Sequence, residues 1–405
     1  MAHWRAATVG LQDAENFASA AAWHSLEGYL GLALRRHLGE AAERLQREAD
    51  VLDAELRAAF SAAQLEELRV RVIAFRRRYL QVETALEFYG DAVNSRTSPR
   101  LAGLLRACDA LALMSMQKVL EPLGRPVPPI LTYVNKGLGA SILRAGLRLW
   151  DGGSVSPAAA LKITRQNLYG PTAVCHESGH QVAHIVGWND ELAALLQREL
   201  APASTDVAAT WASWSSEIAA DTHAFAHTGY GSVAALHDVV SGGRSVLRLN
   251  PGDPHPLAYL RVLLGVEMCS RCYGAGPWTD LGRAWVQSYP LTAAPVDTRT
   301  LVERSLPLLP RIAELCLLAP MRGFGGRPLV ALVDPLRVRP DALARLAQEA
   351  GRALTTSSHW VRHEALRLLA LSSFRAATEP ERSAEIARQF EEWMLRLGTP
   401  MAAAA

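Results

Sequence analysis

The sequence predicts a mainly α fold, α+β in class, with a small sheet near its middle. Three observations predict it: stretches with helical apolar spacing towards both ends, a Pro-rich break near residue 125, and short apolar runs just after that break. The same features divide the chain into a helical N-terminal region, 1–125, a central region, 126–290, and a helical C-terminal region, 291–405.

Composition narrows the function classes. A chain of 405 residues, 49% hydrophobic and 20% charged, can bury a sizeable core and is not a disordered polymer. The net charge of +2, from 42 basic and 40 acidic residues, argues against a dedicated nucleic-acid or polybasic membrane binder. Five cysteines are too few for a disulfide scaffold, and their odd number fits a reducing compartment. No apolar run reaches the roughly 18 uncharged residues of a membrane span; Leu101–Leu113, for example, is cut by Arg106 and Asp109. The opening MAHWRAATVGLQDAENF has no basic stretch followed by an apolar run, so a cytoplasmic location is expected, with export that needs no cleaved signal left open.

The elements follow in order. Ala41 to Tyr89 contains no Gly or Pro, and Leu45, Leu52, Leu56 and Phe60 recur at helical spacing between charges. That predicts a bundle or a hairpin of long helices, a surface for self-assembly or for a partner. Arg76–Arg78 reads as a solvated face, because acidic residues lie on both sides. A further helix runs from about Pro99 to Leu120 and stops at GRPVPP. Ile130–Val134 reads as a strand, Ala140–Leu149 as a strand or a helix, and Gly152–Gly153 as a turn. ALKITRQNLY, 160–169, is the candidate edge strand against which an extended peptide would lie. Asp190–Ser216 is expected to form a helix and a loop. After Pro290, helices are predicted at Val302–Leu317, Pro340–Ala353, His359–Ala376 and Pro380–Leu397, with the terminal AAAA frayed.

Chemistry concentrates in the middle. Seven of the 12 histidines lie between His176 and His255. Within HESGH, His176 and His180 stand one helical turn apart on one face, a spacing that lets two imidazoles share one zinc ion. Glu177 beside them is placed to take a proton from zinc-bound water, whose pKa falls to about 7. Gly179 in mid-helix costs about 1 kcal/mol against Ala, which suggests that backbone passes close to something there. The bland alternative is a surface helix carrying two histidines.

A third ligand is needed. Position 186 is Val, so the extended pattern with a third His ten residues after the first is absent, and His184 lies too far along the helix. SEIAAD supplies Glu217, and Asp221 one turn beyond can accept the ring N–H of a ligating imidazole. Three protein ligands and an open position make a catalytic rather than a structural zinc site. Downstream, in DPHPLAYLRV, His255 could hydrogen-bond an oxyanion and Arg261 could pair with Asp221.

HESGH, then EIAAD with Glu217 37 positions after His180, then HTGYGSVAAL, then DPHP with Arg261 six after His255, resembles the gluzincin metallopeptidases. Within them it is most similar to the HtpX-like endopeptidase and CAAX prenyl protease family. The likeness covers about 100 residues, and unlike that family the chain shows no membrane helices. It implies a zincin-like core between the helical regions and a zinc endopeptidase acting on a protein or peptide, with one Zn2+ per chain. It carries His176, His180 and Glu217 over as ligands, Glu177 as the base and His255 as transition-state stabiliser, with Asp221 and Arg261 as supports. Two other classes stay open: a helical scaffold or adaptor holding a catalytically silent zinc, and a zinc hydrolase of a non-peptide bond.

Other signals read as structural. The Cys269–Cys272 pair has no second CxxC, and Cys175 points away from His176. His359 and His363 lack an acidic neighbour at the second position, His223 and His227 face away from the metal, and Trp211 and Trp214 fit a core.

Overall fold

A computed structural model describes residues 1–137, 140–143, 158–250 and 252–399. It is 78% helical with one small mixed sheet, so the mainly α, α+β class holds. The chain forms two compact units. One comprises Met1–Leu105, Pro128–Asn135 and Leu143–Lys162; the other comprises Arg106–Val127, Lys136–Ile142 and Ile163–Ala405. Residues 144–149, Gly152–Gly153 and the terminal AAAA fall outside the described residues.

The first unit is built on a hairpin of two long helices, Leu34–Ala58 and Ala62–Ser95. The break between them is dictated locally. Ser61 caps the second helix, its side chain meeting the Gln64 amide while the Gln64 side chain returns to the Ser61 amide. Phe60, which continues the apolar spacing of the first helix, therefore falls in the turn and is 89% exposed, while Leu45 and Leu52 are buried. Trp23, Leu38, Phe75, Leu86 and Tyr89 complete this core. The basic cluster is divided. Arg78 pairs with Glu48, Arg76 lies 5.4 Å from the Trp4 ring, and Arg77 stays exposed.

The strands are β1 (Ile130–Val134), β2 (Ser141–Leu143) and β3 (Ala159–Ile163), in the order β1-β3-β2. This corrects the reading of 160–169 as an edge. Strand β3 is central, and its continuation is a 3-10 turn, Arg165–Tyr169. The reason is visible in Ala-Ala-Leu-Lys-Ile: four of its five residues are buried, so side chains on both faces are covered, as in a strand flanked on both sides.

The second unit holds the histidine helix, Ala173–Val186, and the glutamate helix, Ser215–Thr228, packed against each other. Gly187, at φ 71°, ends the first in the left-handed conformation and lets the chain turn at once into Trp188–Leu200. The connection to the glutamate helix is that helix and a second, Thr205–Ser213, where one helix and a loop were expected. Trp211 and Trp214 are buried, and the Trp211 indole N–H donates to Ser305 Oγ at 3.1 Å. The helix Ala258–Tyr273 follows, and then the C-terminal helices. All four expected runs are interrupted or shortened: Pro340–Ala350 stops at Gly351, and Ser383–Leu397 follows a 3-10 turn at Pro380–Arg382. Val296–Ser305 and Leu309–Leu318 are separated around Pro307, and Ser358–His363 and Ala365–Thr378 are separated at Glu364.

Among the described residues no helix is long and apolar enough to cross a membrane. Cys175, Cys269, Cys272 and Cys316 are free thiols. Burial pushes Cys175 up to about 12 and Cys272 up to about 11, so neither is poised as a thiolate.

Candidate metal centre

The two ligand helices approach unusually closely, and Gly179 is the reason they can. A Cβ at that position would stand 2.9 Å from Ala220 Cα and 3.1 Å from the Ala220 carbonyl oxygen. No side chain fits there, so the mid-helix glycine offsets its propensity cost with backbone contact.

That contact brings His176, His180 and Glu217 together. One ligand-type atom from each lies within 4.8 Å of the others, a group that could hold a metal ion. Glu217 Oε2 is 3.5 Å from His176 Nε2, and Oε1 is 3.3 Å from His180 Nε2. Two ligands about 2.0–2.1 Å from a tetrahedral ion stand roughly 3.4 Å apart, and each imidazole lies near that distance from one oxygen of Glu217. The two rings meet edge to face at 4.8 Å.

Outer contacts fix both imidazoles. His176 Nδ1 is 2.9 Å from Asp221 Oδ1, and His180 Nδ1 is 3.3 Å from Ser216 Oγ. Both Nε2 atoms are thereby turned towards Glu217. Arg261 holds the carboxylates in turn. Its Nε and Nη2 donate to Asp221 at 2.6 and 2.8 Å, and Nη2 also donates to Glu217 at 3.1 Å.

His255 is more exposed, at 59% of its side chain, with Nε2 3.8 Å from Glu217 Oε1. Asp253 anchors it, accepting from its backbone N–H at 3.0 Å and contacting Nδ1 at 2.8 Å. His184 is exposed on the histidine helix and takes no part in the group. Ser216 and Asp253 were not singled out from the sequence. Ser216 directly precedes the ligand Glu217, and Asp253 lies two residues before His255; both are short side chains able to accept an imidazole N–H, which was the available signal.

The electrostatics form one network. Burial disfavours a charged His176, but hydrogen bonds to Asp221 and Glu217 outweigh that and raise it to about 10 in the metal-free chain. Burial also opposes ionisation of Asp221, yet Arg261 and His176 pull it down to about 2. Glu217 is likewise held well below the carboxylate range by the two histidines and Arg261, against burial. Glu177 differs. It is 5% exposed, and burial raises its pKa against the pull of the neighbouring cations.

Behind the site, His223 and His227 are buried on the glutamate helix, their rings 4.5 Å apart. Burial lowers His223 to about 4 and His227 well below the histidine range. Because the folded values lie under the unfolded value of about 6.5, the unfolded chain takes up protons that the folded chain refuses. Their effect is absent above about pH 6.5 and destabilises the fold as pH falls towards 4, by on the order of 3 kcal/mol for His223. Glu177, raised by burial, acts in the opposite sense over part of that range. The check is therefore the difference in unfolding free energy between wild type and His223→Asn, in which the Glu177 contribution cancels. That difference should shift in favour of the variant between pH 7.5 and pH 4.5; an unchanged difference would mean His223 takes up its proton without cost.

No protein-family model, curated protein or solved structure matches this chain.

Proposed function

We propose that the chain is a zinc-dependent metalloendopeptidase of the gluzincin kind, similar in its site to the HtpX-like and CAAX prenyl protease family, and acting on a protein or peptide. The observation that carries this reading is the convergence of His176 Nε2, His180 Nε2 and a Glu217 oxygen, with the Nδ1 atoms tied to Asp221 and Ser216. A buried Glu177 beside them adds a base that a merely metal-holding scaffold does not need.

Zinc, when bound, supplies Lewis acidity and a water with a pKa near 7. Glu177 would take a proton from the attacking water and pass it to the leaving amine. Burial raises the Glu177 carboxyl above its usual range, which strengthens it as a base. His255 faces the Glu217 side of the cluster from a partly exposed position, where it can hydrogen-bond the carbonyl oxygen on which charge develops. Arg261 and Asp221 keep the ligand carboxylate and imidazole in place.

Elemental analysis of the purified chain tests the reading. About one zinc per chain is expected in wild type and much less in Glu217→Ala, which removes one of three ligands. A folded wild-type chain without zinc, even after zinc is added back, would overturn it.

A further inference from the structure

We infer that His223 is a positioning residue: it sets the register of the histidine helix against the glutamate helix and so the spacing of the metal-ligating atoms. The inference rests on the metal site proposed above and concerns a residue outside its ligands.

Three observations carry it. His223 Nδ1 stands 2.9 Å from the carbonyl oxygen of Cys175, and its Cβ lies 3.0 Å from where a Gly179 Cβ would be. Cys175 and Gly179 immediately precede His176 and His180. One side chain of the glutamate helix thus grips both ends of the turn that presents the two imidazoles. Finally, the choice of histidine is costly. The residue is fully buried, and its Nε2 has no hydrogen-bond partner. An apolar side chain of similar volume would avoid that desolvation. The His223 Nδ1–H bond goes to the histidine helix, and the Ser115 backbone also interacts with the ring.

A rotation of the histidine helix about its axis would move both Nε2 atoms relative to Glu217. The Nδ1–H bond to the Cys175 carbonyl resists that rotation, because it is directional where apolar packing is not. The bond requires the tautomer protonated on Nδ1, consistent with a ring held neutral by burial.

The position of the donor makes the idea testable. The amide of Asn reaches about as far as Nδ1, and that of Gln about as far as Nε2. We would measure zinc affinity by competition with a chromophoric chelator, and the visible spectrum of the cobalt-substituted protein, for wild type, His223→Asn, His223→Gln and His223→Leu. His223→Asn should keep wild-type affinity and the tetrahedral cobalt bands. The Gln and Leu variants should bind zinc 10- to 100-fold more weakly, the loss seen when partners outside the ligand shell are removed, with altered cobalt bands. A folded Gln or Leu variant with wild-type affinity and spectrum overturns the inference, and so does an Asn variant as weak as they are. If both of those variants fail to fold, the Asn variant decides alone by the same two readouts. Failure of the wild type to bind zinc would remove the metal site itself, a separate result.

Discussion

Glu177→Gln should retain zinc at the wild-type level and lower peptide hydrolysis by about 10²- to 10⁴-fold, the usual contribution of a general base. Glu177 is not among the three residues whose ligand atoms converge, so its loss leaves the metal-holding set intact. Gln fills the same volume in a pocket where the native side chain is 5% exposed, which keeps structural damage small. What it removes is the ability to take a proton. A peptide library and casein, run beside small esters and amides, give the assay and separate a peptidase from a hydrolase of other bonds. A variant that holds zinc and still cleaves at the wild-type rate would eliminate Glu177 as the base.

Arg261→Met should destabilise the metal-free chain by about 3–5 kcal/mol, the usual consequence of breaking a buried ion pair from one side. The guanidinium makes three hydrogen bonds to Asp221 and Glu217 and is 9% exposed, so the carboxylates would keep their charge and lose their main fixed cation. Methionine fills the space with an unbranched apolar chain, so little of the loss would be cavity formation. A divalent cation held by the histidines and Glu217 would restore positive charge beside the same carboxylates. The deficit relative to wild type should therefore narrow when zinc is added. Urea unfolding of both proteins, after chelation and after reloading, reads this directly. Equal deficits in the two states would show that Arg261 acts through packing alone.

The ligand helices were legible in the sequence because their spacing is local. His176 with His180, and Glu217 with Asp221, each share a helical face at i and i+4, and that face needs no knowledge of the rest of the fold. Gly179 was legible as a sign of close approach, though Ala220 as its neighbour was not, since that pairing depends on how two helices cross. Ser216 and Asp253 were missed for the same reason: each acts on a histidine that tertiary structure delivers. The misreading of 160–169 had a different cause. A run carrying Lys162 and Arg165 was read as an edge, while the buried alanines and leucine around Lys162 describe a strand covered on both faces. Phe60 shows a third kind of failure. Its spacing continued the helix, but the capping pair Ser61 and Gln64 started a new one.

Every residue of the glutamate helix except Ser216 and Asp221 is buried. A segment so enclosed has no cheap local opening, and its backbone amides should exchange with deuterium only when the whole unit unfolds. Glu217, the candidate third ligand, should thus sit among the slowest-exchanging amides of its unit. Zinc bound only by the folded state would, at a hundred times its Kd, slow exchange along Ser215–Thr228 by about 100-fold, reporting occupancy of the site without any substrate.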